Sequence, residues 1–361
     1  MQADASQVAD TVQGAQLGAL ERMPKWLICV PLALQWLWLS LRYRSTTLPS
    51  SANPHLTAGG LVGEGKQEYF AGMGPAARAA IACYCVVSTH CRPSNAELLQ
   101  MLHDASLGFP VIAKPDLGLC GHGVRRVNDM QELRAYVDAF PENENLLLQE
   151  YLPQEGEAGI FYARMPGQMH GRLIGLALRQ FPQVRGDGLR SIGALIAADP
   201  RAGRLLGSRL HECELDLHTV PRQGEVLRLS TIGSTRVGGL YLDGAHSITP
   251  QLSAAVDAIA RDMPSFHFGR FDVRYASLAQ LRAGTGFTIM EINGAGSEAI
   301  QAWDPSIGLL DGLQMIFSKQ RILFSIGHAM RRAGAKPIGL LALARLNRRQ
   351  HQLIARYPPS N

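Results

Sequence analysis

"FHFGRFDVRYASLAQLRAGTGFTIMEINGAG" (residues 266–296) reads as a strand, a glycine-containing connection and a second strand, a pattern that suits antiparallel pairing. Side chains two apart on a strand point the same way, so Arg270 and Asp272 share one face, and Glu291 and Asn293 share another. A carboxylate at the end of a buried strand is costly unless something positive or hydrogen-bonding meets it. Three oxygen donors on adjacent strands, Asp272, Glu291 and Asn293, make a hard-cation site. Mg²⁺ suits it best, with Mn²⁺ as the alternative, because Mg²⁺ takes few carboxylates and completes its shell with phosphate. The always-charged fork of Arg270 would then stabilise an anion developing beside the metal. Taken alone, the same polar strand end could simply cap a turn.

Upstream, "GFPVIAKPDLGLCGHGVRRV" (residues 108–127) delivers Lys114 at a strand end, with Gly118, Gly121 and Gly123 close behind. A mobile glycine loop lets backbone N–H groups approach phosphate oxygens, and a fixed lysine adds a point charge. The alternative is a hairpin with a salt-bridged lysine. In "LLLQEYLPQEGEAGIFYAR" (residues 146–164), Glu150 closes one strand and Glu157 opens the next, where two carboxylates could hold the hydroxyl and amino groups of a nucleotide. Glu155 reads as a surface acid on the turn. "GLVGEGKQ" (residues 60–67) fits a P-loop except that Gln67 stands where Ser or Thr must reach magnesium, and no hydrophobic strand precedes it. A turn into a helix is the better reading.

The remaining pattern is α+β. Helices are expected over about 66–87, 95–106 with Ser94 as N-cap and Glu97 three residues on, 129–140 and 249–263. Short apolar strands lie between and after them. With 361 residues, 46% hydrophobic and 18% charged, the chain is globular with a real core. Its six cysteines form no regular framework, which fits a reducing, cytoplasmic compartment. Cys83 and Cys85 fall in a stretch that reads helical, where i and i+2 do not converge on a metal, so buried small residues are expected.

The net charge of +5 belongs to one end: residues 312–361 hold nine Lys or Arg and no acid, leaving 26 basic against 30 acidic groups elsewhere. Leucines and arginines there are spaced like an amphipathic helix, either lying on an anionic membrane or docked on its own protein. The tail lacks interleaved aromatics, so nucleic acid is not the expected partner. "WLICVPLALQWLWLSL" (residues 26–41) is free of charge, holds three of the four tryptophans and is flanked by Arg22, Lys25, Arg42 and Arg44. Roughly twenty apolar residues are needed to span a bilayer, and Pro31 interrupts this run. An interfacial helix on the inner face of the cytoplasmic membrane is favoured over one buried against the body. Residues 1–21 are polar and expected to be loose, and 45–60 read as a connector.

In order and spacing, these motifs resemble the ATP-grasp superfamily, in the manner of D-alanine:D-alanine ligase and cyanophycin synthetase, over about 108–305. The resemblance implies two α+β lobes gripping ATP, with 1–60 as an N-terminal extension, 61–107 as a short helical region, 108–311 as the grasp domain and 312–361 as basic helices. It assigns Lys114 and the glycine loop to the phosphates, Glu150, Tyr151 and Leu152 to adenine, and Glu157 to ribose. It also implies two Mg²⁺ on Asp272, Glu291 and Asn293, with Arg270 facing the reacting phosphoryl group and Lys66 as a further phosphate lysine. Pro153 departs from the family hinge, where a backbone N–H would meet adenine. In "LRLSTIGSTRVGG" (residues 227–239), Arg228, Gly238 and Gly239 match the cyanophycin synthetase type, but Gly233 replaces an expected Asn. The implied activity joins a carboxylate to an amine through an acylphosphate. A kinase that stops at a phosphorylated product and a non-catalytic nucleotide-binding module are the alternatives.

Overall fold

A computed structural model describes residues 17–205, 216–230 and 233–360. Cys213, Thr231, Ile232 and most of the N-terminal stretch expected to be loose lie outside the described residues. The remainder of that stretch is not loose: a short helix, Ala19–Arg22, buries Leu20 and seats Glu21 against Arg201 at 2.5 Å and Arg204 at 2.8 Å.

The first lobe is a four-stranded antiparallel sheet built from β1 (Tyr84–Ser88), β2 (Val111–Pro115), β3 (Arg125–Val127) and β4 (Asn145–Glu150), in the order β1-β4-β2-β3. Alternation explains its two faces. Val111, Ala113, Leu146 and Leu148 pack on the helices Asn95–Asp104 and Met130–Ala139, while Ile112, Lys114 and Gln149 face the other way into a cleft. The expected capping box is present: Ser94 Oγ accepts from Glu97 N, and the Glu97 carboxylate accepts from Ser94 N at 2.7 Å.

One expectation fails here. The helix read over 66–87 is two short helices, Lys66–Phe70 and Pro75–Ala79, followed by strand β1. The alanine-rich run favours helix, but Tyr84–Ser88 is aromatic and β-branched and finds Leu146–Leu148 to pair with. Cys83 is consequently exposed and Cys85 only half-buried, where both were expected buried.

The second lobe is a five-stranded antiparallel sheet, β11-β10-β5-β6-β9, from β5 (Gly156–Ala163), β6 (Arg172–Gln180), β9 (Leu240–Asp243), β10 (Phe268–Tyr275) and β11 (Phe287–Asn293). One face, with Ala158, Ile160, Phe271 and Val273, packs on the helix Pro250–Arg261. The other carries Glu157, Arg179, Arg270, Asp272 and Arg274 toward the first lobe. Between β5–β6 and β9, a small two-stranded sheet of β7 (Gln183–Arg185) and β8 (Val226–Arg228) covers its own core of Ile192, Leu195 and Leu229.

The 19-residue helix Lys25–Tyr43 runs through Pro31 without a break and lies along the long helix Leu309–Arg332. Trp36 meets Phe324 edge-on at 4.9 Å, and Leu39 is buried beside it. The opposite face is bare: Trp26 is 68%, Leu34 63% and Leu41 71% exposed. Among the described residues no helix is long and apolar enough to cross a membrane. The C-terminal helix Leu340–Ile354 docks on the protein itself: Gln350 Nε2 donates to Gly118 O at 2.9 Å, and Arg349 pairs with Glu144 at 3.2 Å.

Candidate active site

The two sheets face each other across a cavity of about 450 Å³. Every residue singled out in sequence for ATP or metal reaches it except Gly123. Gly123 lies just behind, in the loop, at φ +73°, where glycine adopts the left-handed region at no steric cost. The loop is not free. Ser360 Oγ donates to Gly121 O at 2.8 Å and accepts from Gly123 N at 3.1 Å, and Tyr357 Oη donates to Leu117 O at 2.7 Å. The C-terminal segment thus holds the loop by hydrogen bonds at Leu117, Gly121 and Gly123.

Lys114 spans the base of the cleft. Its Nζ donates to Gln149 Oε1 of the first lobe at 2.6 Å and to Met290 O of the second at 2.9 Å. Burial pushes this amine down to about 7; nearby Glu291 opposes the shift and Lys66 adds to it. Lys66 enters from the other side, 3.4 Å from Glu291 Oε1. A Cβ at Gly118 would stand 2.6 Å from its Nζ. Two lysines thus converge on the glycine loop.

Asp272 lies opposite Glu291 in the β10–β11 register, and the ladder slips immediately after it. That bulge lets Ile289 and Ile292 both enter the core while Met290, Glu291 and Asn293 all line the cleft. Asp272 is fully buried and saturated with donors. Arg270 grips it through Nε at 2.6 Å and Nη2 at 2.8 Å, Arg179 Nη2 lies at 3.2 Å, and Asn293 Nδ2 at 3.1 Å. Burial alone would raise this carboxyl, but Arg179 and Arg270 outweigh it and hold it below the usual carboxylate range. Arg270 thus lines the cleft with its guanidinium fork engaged on Asp272.

These donors suit a hard cation in type: Asp272 and Glu291 supply carboxylates, and Asn293, whose N–H binds Asp272, keeps its amide oxygen free of that bond. Glu291 is the accessible member, its side chain 37% exposed.

At the expected adenine end, Tyr151 lies under Arg126 at 4.6 Å, Leu152 is buried and Glu150 accepts from Cys83 N at 3.3 Å. Glu157, expected on ribose, is held by Arg179 at 2.8 Å and Arg274 at 3.5 Å. A Cβ at Gly233 would come within 3.4 Å of the Glu157 carboxylate. Arg228 stacks over Phe181 at 3.3 Å, outside the cleft lining.

Sequence reasoning missed Arg179, Arg274 and Glu64. Arg274 was legible, lying two past Asp272 on the same face. Arg179 needs the β5–β6 register, where it pairs with Glu157. Glu64 lines the cleft with Oε2 buried and unbonded among the described residues, and burial raises it to about 7.

No protein-family model matches the chain, and no curated protein matches it. Solved structures similar to it include a D-alanine--D-alanine ligase from Bacillus anthracis, at 14% identity and TM-score 0.40, covering 74% of this chain and 67% of that one. A D-Ala:D-Ser ligase from Enterococcus faecalis aligns at 14% identity and TM-score 0.39, covering 74% and 62%. A bifunctional glutathione synthetase from Pasteurella multocida aligns at 17% and 0.36, covering 68% of this chain; the chain spans about a third, 34%, of that protein's length.

Proposed function

We propose that the chain is an ATP- and Mg²⁺-dependent ligase that joins a carboxylate to an amine through an acylphosphate. The observation that carries this is the convergence of Lys66, Lys114 and the glycine loop from one side with Asp272, Glu291, Asn293 and Arg270 from the other, on one cleft. Phosphates entering between them would meet the two amines and the loop. Arg270 and Arg179, now spent on Asp272, supply fixed positive charge for a transferring phosphoryl group. Mg²⁺ held by Asp272, Glu291 and Asn293 would withdraw charge from the phosphates. A substrate carboxylate attacks the γ-phosphorus, ADP leaves, and an amine then displaces phosphate from the acyl carbon. Positioning and electrostatics suffice for such transfer without a protein nucleophile.

The test is equilibrium binding of ATP with and without Mg²⁺. Mg²⁺-dependent binding that falls at least tenfold in Glu291→Ala and in Lys114→Met supports the reading; nucleotide binding indifferent to both removes it.

The bare face of Lys25–Tyr43 supports a second element of the proposal, contact with an anionic lipid surface. Trp26, Val30, Leu34, Trp38 and Leu41 form one exposed stripe with Lys25, Arg42 and Arg44 at its ends. Tryptophan and basic flanks suit the headgroup boundary.

A further inference from the structure

A second cavity, of about 430 Å³, lies on the same face of the five-stranded sheet as the cleft. The wall between them is a single segment of chain: Ser297, Glu298 and Ile300 line the cleft, whereas Ala299 and Gln301 line the second cavity. Phe161 and Gly175 form its floor, and the helix Leu309–Arg332 closes it with Asp311, Gln314 and Lys319.

The polar groups here are unusual because they are not spent on each other. Lys319 has no hydrogen-bond or ion-pair partner among the described residues; its Nζ lies 5.8 Å over the Phe268 ring. An uncompensated amine in such a site is costly, and burial pushes it down to about 7, with Arg270 adding to the shift and Glu298 opposing it. Gln301 is buried, and its Oε1 has no donor among the described residues. Asp243 gives one oxygen to Ala245 N at 3.2 Å, and Asp311 is exposed at the other end of the cavity wall.

The charges are arranged by sign and distance. Asp311 and Lys319 are eight residues apart on one helix, roughly 12 Å along its axis. Phe268 precedes Arg270 by two on the same strand face, roughly 7 Å, so the lysine end is the end near the cleft. A phosphate would meet two carboxylates without need, and a plain carboxylate would leave Asp243, Asp311 and Gln301 idle.

We propose that this cavity binds an amino-carboxylate zwitterion of about dipeptide size, its carboxylate on Lys319 and its ammonium toward Asp311, Asp243 and Gln301. Binding of the zwitterion stands on the cavity alone. Any role of the bound zwitterion as a substrate rests on the ligase reading.

The experiment is calorimetric titration of the full chain, without nucleotide, with glycylglycine, alanylalanine of either hand and 6-aminohexanoate, each also as its N-acetyl and carboxamide derivative. At least one free zwitterion is expected to bind, with both blocked forms and Lys319→Met at least tenfold weaker. Gln314→Trp, an exposed position at the cavity wall, is expected to weaken binding without disturbing the core. Failure of all free probes to bind wild type, equal binding of blocked forms, or unchanged binding in both variants would overturn the proposal. Titration with Mg²⁺ and ATP, run separately, distinguishes the two claims. Zwitterion binding without nucleotide binding upholds the cavity and refutes the ligase; nucleotide binding without zwitterion binding does the reverse.

Discussion

Lys66 and Gly118 occupy adjoining space, the lysine Nζ standing 2.6 Å from where a β-carbon on residue 118 would be. The obstacle is the far end of a flexible side chain, so Gly118→Ala can fold by moving the amine aside. The expected outcome is a nearly unchanged thermal midpoint with weaker binding of Mg²⁺ and ATP. Losing one charged hydrogen bond, about 1.5–3 kcal/mol, corresponds to roughly 10- to 100-fold in affinity. Equal affinity in the variant would take Lys66 out of the phosphate site.

Lys114 gives a pH prediction. Its amine is held at about 7 in the free protein, against roughly 10.4 for an ordinary lysine, so above neutrality it is largely unprotonated. Bound phosphates would favour the charged form. Nucleotide binding at pH 8 to 9 is therefore expected to take up a proton, visible as heats that differ between buffers of different ionisation enthalpy. Lys114→Met should abolish that difference.

Asp272 and Glu291 sit opposite each other but should fail differently. Asp272 compensates two buried arginines, and removing one partner of a buried ion pair costs about 3–5 kcal/mol, so Asp272→Ala should unfold at distinctly lower denaturant. Glu291 meets Lys66 at a half-open site, so Glu291→Ala should shift stability by less than about 1 kcal/mol while abolishing turnover. Because the folded pKa of Asp272 lies below its unfolded value near 3.9, its stabilisation is present above that value and is lost as pH falls through the folded pKa. The acid-unfolding curve of Asp272→Ala should lack that part of the slope.

Much of this site follows from a period of two. Arg270 with Asp272, and Glu291 with Asn293, share faces because any strand makes them do so, and the glycine-rich connection implies antiparallel pairing. Arg179 and Glu64 were not legible, because each becomes a site residue only through a strand register or a lobe contact far away in sequence. Tyr84–Ser88 was misread because an alanine-rich helical run leads into it without a break; only its partner β4 decides the matter. The C-terminal helix offered two equal readings in sequence, and the contact of Gln350 with Gly118 O is what shows it docked on the protein.

The hold of the C-terminal segment on the glycine loop is itself testable. Tyr357 stacks on Phe140 at 5.2 Å and bonds Leu117 O. Tyr357→Ala should speed amide exchange across residues 117–124 with little change in β2 or β4. Unaltered exchange there would mean the loop holds itself.

For the exposed helix face, vesicle flotation is the check. The chain should float with phosphatidylglycerol vesicles and not with phosphatidylcholine, and replacing Trp26, Leu34 and Trp38 with Gln should leave it in the soluble fraction. Flotation unaffected by those replacements would remove the membrane contact.

The central claim is tested most directly by following ADP release from ATP and Mg²⁺ with panels of carboxylates and amines, singly and in pairs. Steady release that needs both members of one pair, and that disappears in Glu291→Ala, is the result expected of a ligase. Steady release with no amine present, or release unchanged in that variant, would contradict it.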